Sequence, residues 1–459
     1  MKVASVNSKS IVDGSNILKP NFHLNYGKKR IEKAIKSNKQ FLPLKDAVQN
    51  VYTGGIFKRV FVEREEFGLP YISAQHMMNS NPLEIAKLIS KKYTPRQEDM
   101  TLRESQVLVS CAGSVGNVRL IDEDLDGIIG SQDIIRVISN ESMPYGFIYA
   151  YLSSPTAYNY IQSFIYGSVV PRIEPNTLAK LPVPKISDHI QRQTHDLIVK
   201  SSRLRADANN ILRESTALIE NSIEDRFGKL NGKGYSKRNI QDILLLEKRF
   251  DAPYNCSDGR WLNDRIVSQP HKCISEIAEV FHPMLFGKKQ LKGSSSKGNA
   301  LFKSSSMMKL MPETDFWLST RKIDTYQKLQ VKEGWILVSR TGTVGNVVRI
   351  GKAMNNSFID DHMIRINPIE GFEGLVFAYL KSKYGRKLIE FQKYGSVQEV
   401  INSDYINRVP LPSFLFDPEI LVPINDKIAE SSTKLDLAYS YEKEAIELVE
   451  NEIESWQKS

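Results

Sequence analysis

The sequence predicts a mixed α/β chain: two similar tandem domains separated by two long helices, the helices forming an antiparallel coiled coil with pseudo-two-fold symmetry. Three observations lead there: the length, an internal repeat, and a heptad pattern after each copy of it. At 459 residues the chain exceeds one ordinary domain, and 41% hydrophobic residues supply apolar material for more than one core. The block Leu108–Val118 (LVSCAGSVGNV) recurs as Leu337–Val347 (LVSRTGTVGNV), an offset of about 229 positions. At nearly the same offset SQDIIRVI (Ser131–Ile138) faces DDHMIRIN (Asp360–Asn367), and AYLSSPTAYNYIQSFIYGSV (Ala150–Val169) faces AYLKSKYGRKLIEFQKYGSV (Ala378–Val397). LPVP (Leu181–Pro184) then faces VPLP (Val409–Pro412), and IENSIED (Ile219–Asp225) faces VENEIES (Val449–Ser455). Upstream the match fades, but YISAQHM (Tyr71–Met77) and FKSSSMM (Phe302–Met308) hold equivalent places.

Each copy reads alike in order. The Tyr71 segment is expected to be a strand with one polar face. In the glycine block, β-branched and apolar residues flank Gly113 and Gly116, and Gly342 and Gly345, as in two strands joined by a tight turn. Ile134–Ile138 and Met363–Ile366 read as short strands. Phe147–Phe164 and Leu375–Gln392 carry apolar residues at helical spacing. The proline pairs then force an extended exit.

After each exit comes a long helical pattern. Ile190, Leu197, Leu204, Ile211 and Leu218 recur every seventh residue, with Thr194, Ser201, Ala208 and Ser215 as small partners. In the second half Ile428, Leu435, Val449 and Trp456 keep the register with Ser431, Ala438 and Ala445, and Glu442 breaks it once. Alternating large and small seam residues let two helices approach closely. A helix of about 35 to 40 residues is roughly 55 Å long. Antiparallel pairing would set it as a ruler between two units docking on opposite strands of a duplex. The layout is residues 1–184, 185–228 (first long helix), 229–412 and 413–459 (second long helix), with Gly228–Gly234 as a short flexible link.

ILVSRTGTVGNV (Ile336–Val347) is very similar to the signature of type I restriction-modification specificity subunits, and so is the order of domain, proline exit and long helix repeated once. The resemblance covers almost the whole chain. It implies two target-recognition domains that read a split sequence in double-stranded DNA. It implies two DNA methyltransferase subunits as partners, with motor-nuclease restriction subunits joining for cleavage. S-adenosylmethionine, Mg²⁺ and ATP would then be bound by those partners, and this chain would hold no cofactor, no metal and no catalytic residue. A Glu-Gln pair common in the family after the proline exit is missing here. Lys185-Ile-Ser-Asp-His-Ile-Gln191 and Ser413-Phe-Leu-Phe-Asp-Pro418 stand in its place, the mark of a divergent branch.

The residues themselves point away from chemistry. Asn81-Pro82-Leu83-Glu84 and Asn367-Pro368-Ile369-Glu370 lack the second proline and the aromatic of an adenine-methylating loop. Gly228-Lys-Leu-Asn-Gly-Lys-Gly234 has the wrong spacing for a phosphate loop. The seven histidines show no zinc spacing, and Cys111, Cys256 and Cys273 lie far apart, as reduced thiols do. A net charge of +9 favours polyanions. No apolar run approaches the ~18 residues of a membrane span, and the first residues lack a signal peptide's apolar stretch. A cytoplasmic protein is expected.

Base reading needs polar side chains on a rigid frame; phosphate contacts need cations and free N–H groups. Tyr166-Gly167-Ser168 followed by Arg172, and Tyr394-Gly395-Ser396 followed by Gln398, offer both, or are turns before a strand. Ser73, Gln75 and His76 in the first copy, and Lys303, Ser304 and Ser305 in the second, are further candidates, or a solvated face. Their difference is informative, because unlike half-sites need unlike readers. Arg119 and Arg340 are candidates for phosphates. Arg136 and Arg365 are either phosphate clamps or partners of buried acids. Gly293-Ser-Ser-Ser-Lys-Gly298, with Lys288, Lys289 and Lys292, is a basic loop suited to counterion release. Three rivals stay open on sequence alone: a duplicated enzyme, a coiled-coil scaffold with no DNA specificity, and the recognition subunit of another phage-defence or type II-like complex.

Overall fold

The computed structural model describes residues 6, 8–13, 18–229, 239–244, 248–284, 290–292 and 298–457. Most of the expected link after Gly228 and of the basic loop around Ser295 lies outside these residues. The chain divides into a first unit, Met1–Ala206 with Leu437–Ser459, and a second, Asp207–Asp436.

In the first unit one antiparallel sheet has the order Val48–Thr53, Ile134–Ser139, Val107–Ser110, Val118–Leu120. Neighbours on a strand point to opposite faces. Val107 and Val109 therefore join the core under the helices Tyr145–Ser153 and Pro155–Ser163, while Leu108 joins a separate cluster with Ile72, Met77 and Ile134. Both faces are covered, which is why the strand is apolar at successive positions. A second sheet runs Phe61–Val62, Lys87–Ser90, Gly68–Ile72, Ile129–Gly130, its last pair parallel. The proline exit, Pro182–Pro184, pairs with Phe41–Pro43.

The second unit repeats this strand for strand. Its sheets are Ala278–Phe281, Met363–Pro368, Ile336–Ser339, Val347–Arg349, and Gln290–Lys292, Phe316–Ser319, Gly298–Phe302, Phe358–Ile359. Here Pro410–Pro412 pairs with His271–Cys273. The repeat thus extends upstream of where the sequence match fades.

The helical segments are as expected but broken, and the Tyr71 strand needs correction. Phe147–Phe164 is two helices, because Ser154 leaves helical geometry and its hydroxyl accepts from the Ala157 N–H at 3.2 Å, with Pro155 opening the next helix. Leu375–Gln392 breaks likewise at Ser382, which caps the Gly385 N–H at 3.1 Å. The Tyr71 strand ends at Ile72, and the residues after it turn into the short 3₁₀ segment His76–Met78.

The long helices are Asp188–Phe227 (40 residues) and Pro418–Ser455 (38 residues). Within the second unit Lys434 meets Asp207 at 3.1 Å, the Ser431 hydroxyl donates to the Ala208 carbonyl at 2.9 Å, and Lys427 meets Glu214 at 2.5 Å. One helix ascends as the other descends, so they run antiparallel. Within the first unit the Ser201 hydroxyl donates to the Ala438 carbonyl at 2.7 Å. Trp456, at the far end, packs edge-on against Phe41 at 5.7 Å. The small seam residues Thr194, Ser201, Ala208, Ser215, Ser431, Ala438 and Ala445 are all buried, as expected.

Of the large partners expected in the first helix, Leu197 is buried and Ile190 packs on the first core, but farther along the seam shifts one residue later. Ile198, Arg205 and Ile219 are buried and Leu212 packs on the second core, whereas Leu218 is exposed and Leu204 and Ile211 are half-buried. A seam alternates steps of three and four, and from Ser201 the step of four lands on an arginine. In the second helix Ile428, Val449 and Trp456 are buried, but Leu435 is exposed.

Candidate nucleic-acid interface

In both units the site begins with a buried arginine. Arg136 and Arg365 are fully buried on the sheet face that carries Leu108 and Leu337, their cross-strand partners. Arg136 donates to the carbonyls of Ile134 (2.9 Å), Gly130 (2.9 Å), Met100 (3.1 Å) and Ser131 (3.4 Å). Arg365 donates to the matching four: Met363, Ile359 (2.7 Å), Asp360 (2.9 Å) and Leu329 (3.4 Å). The phosphate-clamp role does not hold, because each guanidinium is buried and spent on main-chain carbonyls; Arg365 also lies in the field of the buried Asp360. Burial lowers both pKa values, that of Arg365 to about 10.

Arg119 also departs from expectation. It is buried and donates to the carbonyls of Met77 (2.9 Å) and Asn79 (2.6 Å), bracing the turn after Ile72 rather than facing solvent.

These arginines hold three connected loops. The first loop, after Ile72, carries Ser73, Gln75 and His76; the Ser73 hydroxyl accepts from the His76 N–H at 3.3 Å, and Gln75 is exposed. Burial, then the nearby charge of Lys87, lowers the His76 pKa. In the second unit the same place holds Lys303, Ser304 and Ser305. Lys303 lies 3.7 Å over the Phe316 ring, the Ser304 N–H donates to Asp360 at 3.3 Å, and Ser305 is exposed.

The second loop is tied to the first by the Ser131 N–H, which donates to the Ile72 carbonyl at 2.9 Å; Asp360 does the same to Phe302 at 2.9 Å. It carries Asp133 in one unit and Asp360, Asp361 and His362 in the other. Sequence reasoning missed these residues, although they lie inside the matched segments SQDIIRVI and DDHMIRIN, at positions where the two copies differ.

The third loop is the Tyr-Gly-Ser-Val turn. Tyr166 exchanges both main-chain hydrogen bonds with Arg172 at 2.9 Å, and Tyr394 does so with Val400 at 3.0 and 2.8 Å. The glycine turn of the main sheet abuts it, since the Gly113 N–H donates to the Pro171 carbonyl at 3.0 Å. Gly167 has φ +86, and a Cβ there would lie 2.5 Å from the Val170 carbonyl oxygen; Gly395 has φ +102 with 2.3 Å to Gln398. Close approach and left-handed backbone both require glycine.

Ser168, Ser396 and Gln398 are exposed beside Val169 and Val397, which are 91% and 100% exposed. The Tyr166 hydroxyl donates to Glu174, which raises its pKa. Arg172 reaches Asp133 at 3.4 Å, so the second and third loops share an ion pair. Arg340 is half-buried with no hydrogen-bond partner at Nε; its main chain joins the same two loops, its N–H donating to His362 at 2.8 Å and its carbonyl accepting from Ile401 at 3.1 Å.

The structure thus brings Ser73, Gln75, His76, Tyr166, Gly167, Ser168 and Arg172 onto one connected set of loops. It does the same with Lys303, Ser304, Ser305, Arg340, Tyr394, Gly395, Ser396 and Gln398, and it withdraws Arg119, Arg136 and Arg365 into the frame. Residues 24–199 match the family described as the type I restriction modification DNA specificity domain. The chain carries a type I DNA specificity domain. The matched residues include all three loops of the first unit, and the specificity domain's topology is the one repeated in Asp207–Asp436. Among solved structures, the chain is similar to the S subunit of a type-I restriction-modification system from M. genitalium, with 14% identity over 90% of this chain and 96% of that chain and a TM-score of 0.36. It is also similar to the HsdS subunit of Thermoanaerobacter tengcongensis, with 13% identity over 91% and 96% and a TM-score of 0.28. No curated protein matches the chain.

Proposed function

We propose that the chain is the DNA-recognition subunit of a restriction-modification complex and that each unit reads one half of a bipartite target in double-stranded DNA. One observation carries the reading: two units hold the same three loops on the same arginine-braced frame and place unlike side chains on them. A frame that is kept while its rim differs suits two readers of unlike half-sites. Exposed serine and glutamine side chains are hydrogen-bonding partners for base edges, and the net charge of +9 favours the phosphate backbone.

In this reading the paired helices set the gap between half-sites and position two methyltransferase subunits, with motor-nuclease subunits joining for cleavage. Base modification and cleavage, with S-adenosylmethionine, Mg²⁺ and ATP, belong to those partners. The complex would act in the cytoplasm, where its DNA lies, and among the described residues no helix is long and apolar enough to cross a membrane.

The test is to co-express the chain with the methyltransferase encoded beside it and map methylated adenines across a genome. Two short unlike half-sites with a fixed nonspecific gap are expected, the gap shrinking when whole heptads are removed from both helices. One continuous site, or methylation that ignores the chain's presence, would contradict the reading.

A further inference from the structure

Two helices descended from one repeat could pair with each other or with second copies of themselves. The match of Ile219–Asp225 with Val449–Ser455 relates the helices at an offset of about 230 positions. By that relation Ser201 corresponds to Ser431, Arg205 to Leu435, Ala208 to Ala438 and Leu212 to Glu442. Most seam positions are alike, and the exceptions are charged.

Arg205 and Glu442 form an ion pair at 2.5 Å with side chains only 8% and 4% exposed. The Tyr149 hydroxyl donates to the same carboxylate. The second unit places Leu435, Leu212 and Phe377 at the corresponding positions, with no charge among them. The first unit therefore buries an ion pair in its seam, where the second has the partly buried Leu212 and the exposed Leu435.

We propose that the Arg205–Glu442 pair selects the partner of each long helix: the first pairs with the second, and neither pairs with a copy of itself. In the observed pairing Ser201 faces the Ala438 carbonyl. If a copy of the first helix took that place, Ser201 would face Ala208 of the copy. Leu212 would then stand where Glu442 stood, and the buried Arg205 would have no carboxylate. In a second helix paired with its own copy, Leu435 would stand where Arg205 stood, and the buried Glu442 would have no arginine.

A matched buried pair roughly offsets its own desolvation, whereas an unmatched buried charge is strongly unfavourable. The pair thus adds little stability and much discrimination, the use best attested for polar residues in helix seams. The inference holds whatever the loops bind.

The test uses the full-length chain, refolded from denaturant over a range of protein concentrations, with mass read by light scattering. An apolar variant carries Arg205→Leu, Glu442→Leu and Tyr149→Phe. A charge-swapped variant carries Arg205→Glu, Glu442→Arg and Tyr149→Phe, keeping a buried pair in place with its sense reversed. The wild type should refold without concentration-dependent self-association. The apolar variant should show a dimer share rising with concentration, about tenfold above wild type at the top of the range, and the charge-swapped variant should behave as the wild type does. Glu442→Leu alone should lower the folded-to-unfolded ratio by about a hundredfold. Where the apolar variant does not fold, Arg205→Met with Glu442→Gln preserves the side-chain volumes and gives the same reading. An uncharged variant as free of self-association as the wild type would overturn the proposal. So would a self-associating wild type, a charge-swapped variant that dimerises, or Glu442→Leu without loss of stability.

Discussion

The first and second units agree in what their backbones require and differ in what they present outward. Arg136 and Arg365 each reach four matching carbonyls, satisfying buried main-chain oxygens from separate segments. Away from that point the units diverge. The first braces the turn after Ile72 with Arg119, whereas the second has Val348 there and sends Arg349, one residue on, to Ser432 of the second long helix at 2.8 Å. His195 accepts from the Gly146 N–H at 3.3 Å where the second unit has Asn425 accepting from the Leu375 N–H at 3.0 Å. A duplicated fold keeps the side chains that satisfy buried backbone and lets the rest drift.

The largest effect should come from breaking the shared frame. Arg136→Met leaves four buried carbonyls without donors and should cost about 3–5 kcal/mol, with hydrogen exchange rising mainly in the first unit. Arg365→Met should do the same in the second. Equal losses in both units from either variant would break the comparison.

A smaller effect separates two glycines. Gly167→Ala meets the Val170 carbonyl as well as a positive φ and should cost about 2–3 kcal/mol. Gly113→Ala has open space around it and should cost only about 1 kcal/mol. Denaturant midpoints of the two variants check this.

At the rim, Gln75→Ala should weaken binding by about 1–3 kcal/mol at one half-site only, and Ser305→Ala at the other only. Competition with oligonucleotides altered in a single half-site reads the difference.

The smallest effect is one of pH. Burial lowers the His195 pKa below 6.5, and its Nδ1 accepts the Gly146 proton only when neutral. Its contribution is complete above 6.5 and is lost as pH falls from there toward the lowered folded value, since the unfolded chain takes up the proton first. Asn425 cannot titrate. His195→Asn should therefore flatten the acid-side decline of first-unit stability, followed by the exchange rate of the Gly146 amide; an unchanged decline would show that other groups cause it.

The duplication, the glycine turns, the proline exits and the small residues of the helix seam were legible in the sequence, because each leaves a fixed spacing or a residue type with one backbone use. The arginines were not. Arg136 looks like any basic residue on a strand until the carbonyls of Met100 and Gly130, distant in sequence, are seen to converge on it. Arg205 was hidden by its neighbour Leu204, the residue that a hydrophobic pattern prefers. Asp133 and His362 lay within matched segments, but similarity draws attention to what two copies share. In the proposed function the reading residues are those at which the copies differ.

Exchanging one loop tests the central claim most directly. The Ser73–Met78 turn is replaced by Lys303–Met308 in the full chain, and the methylated adenines made with the partner methyltransferase are mapped. The account predicts that one half-site changes while the other half-site and the gap stay as they were. A target that changes at both half-sites together, or at neither while methylation persists, would contradict it.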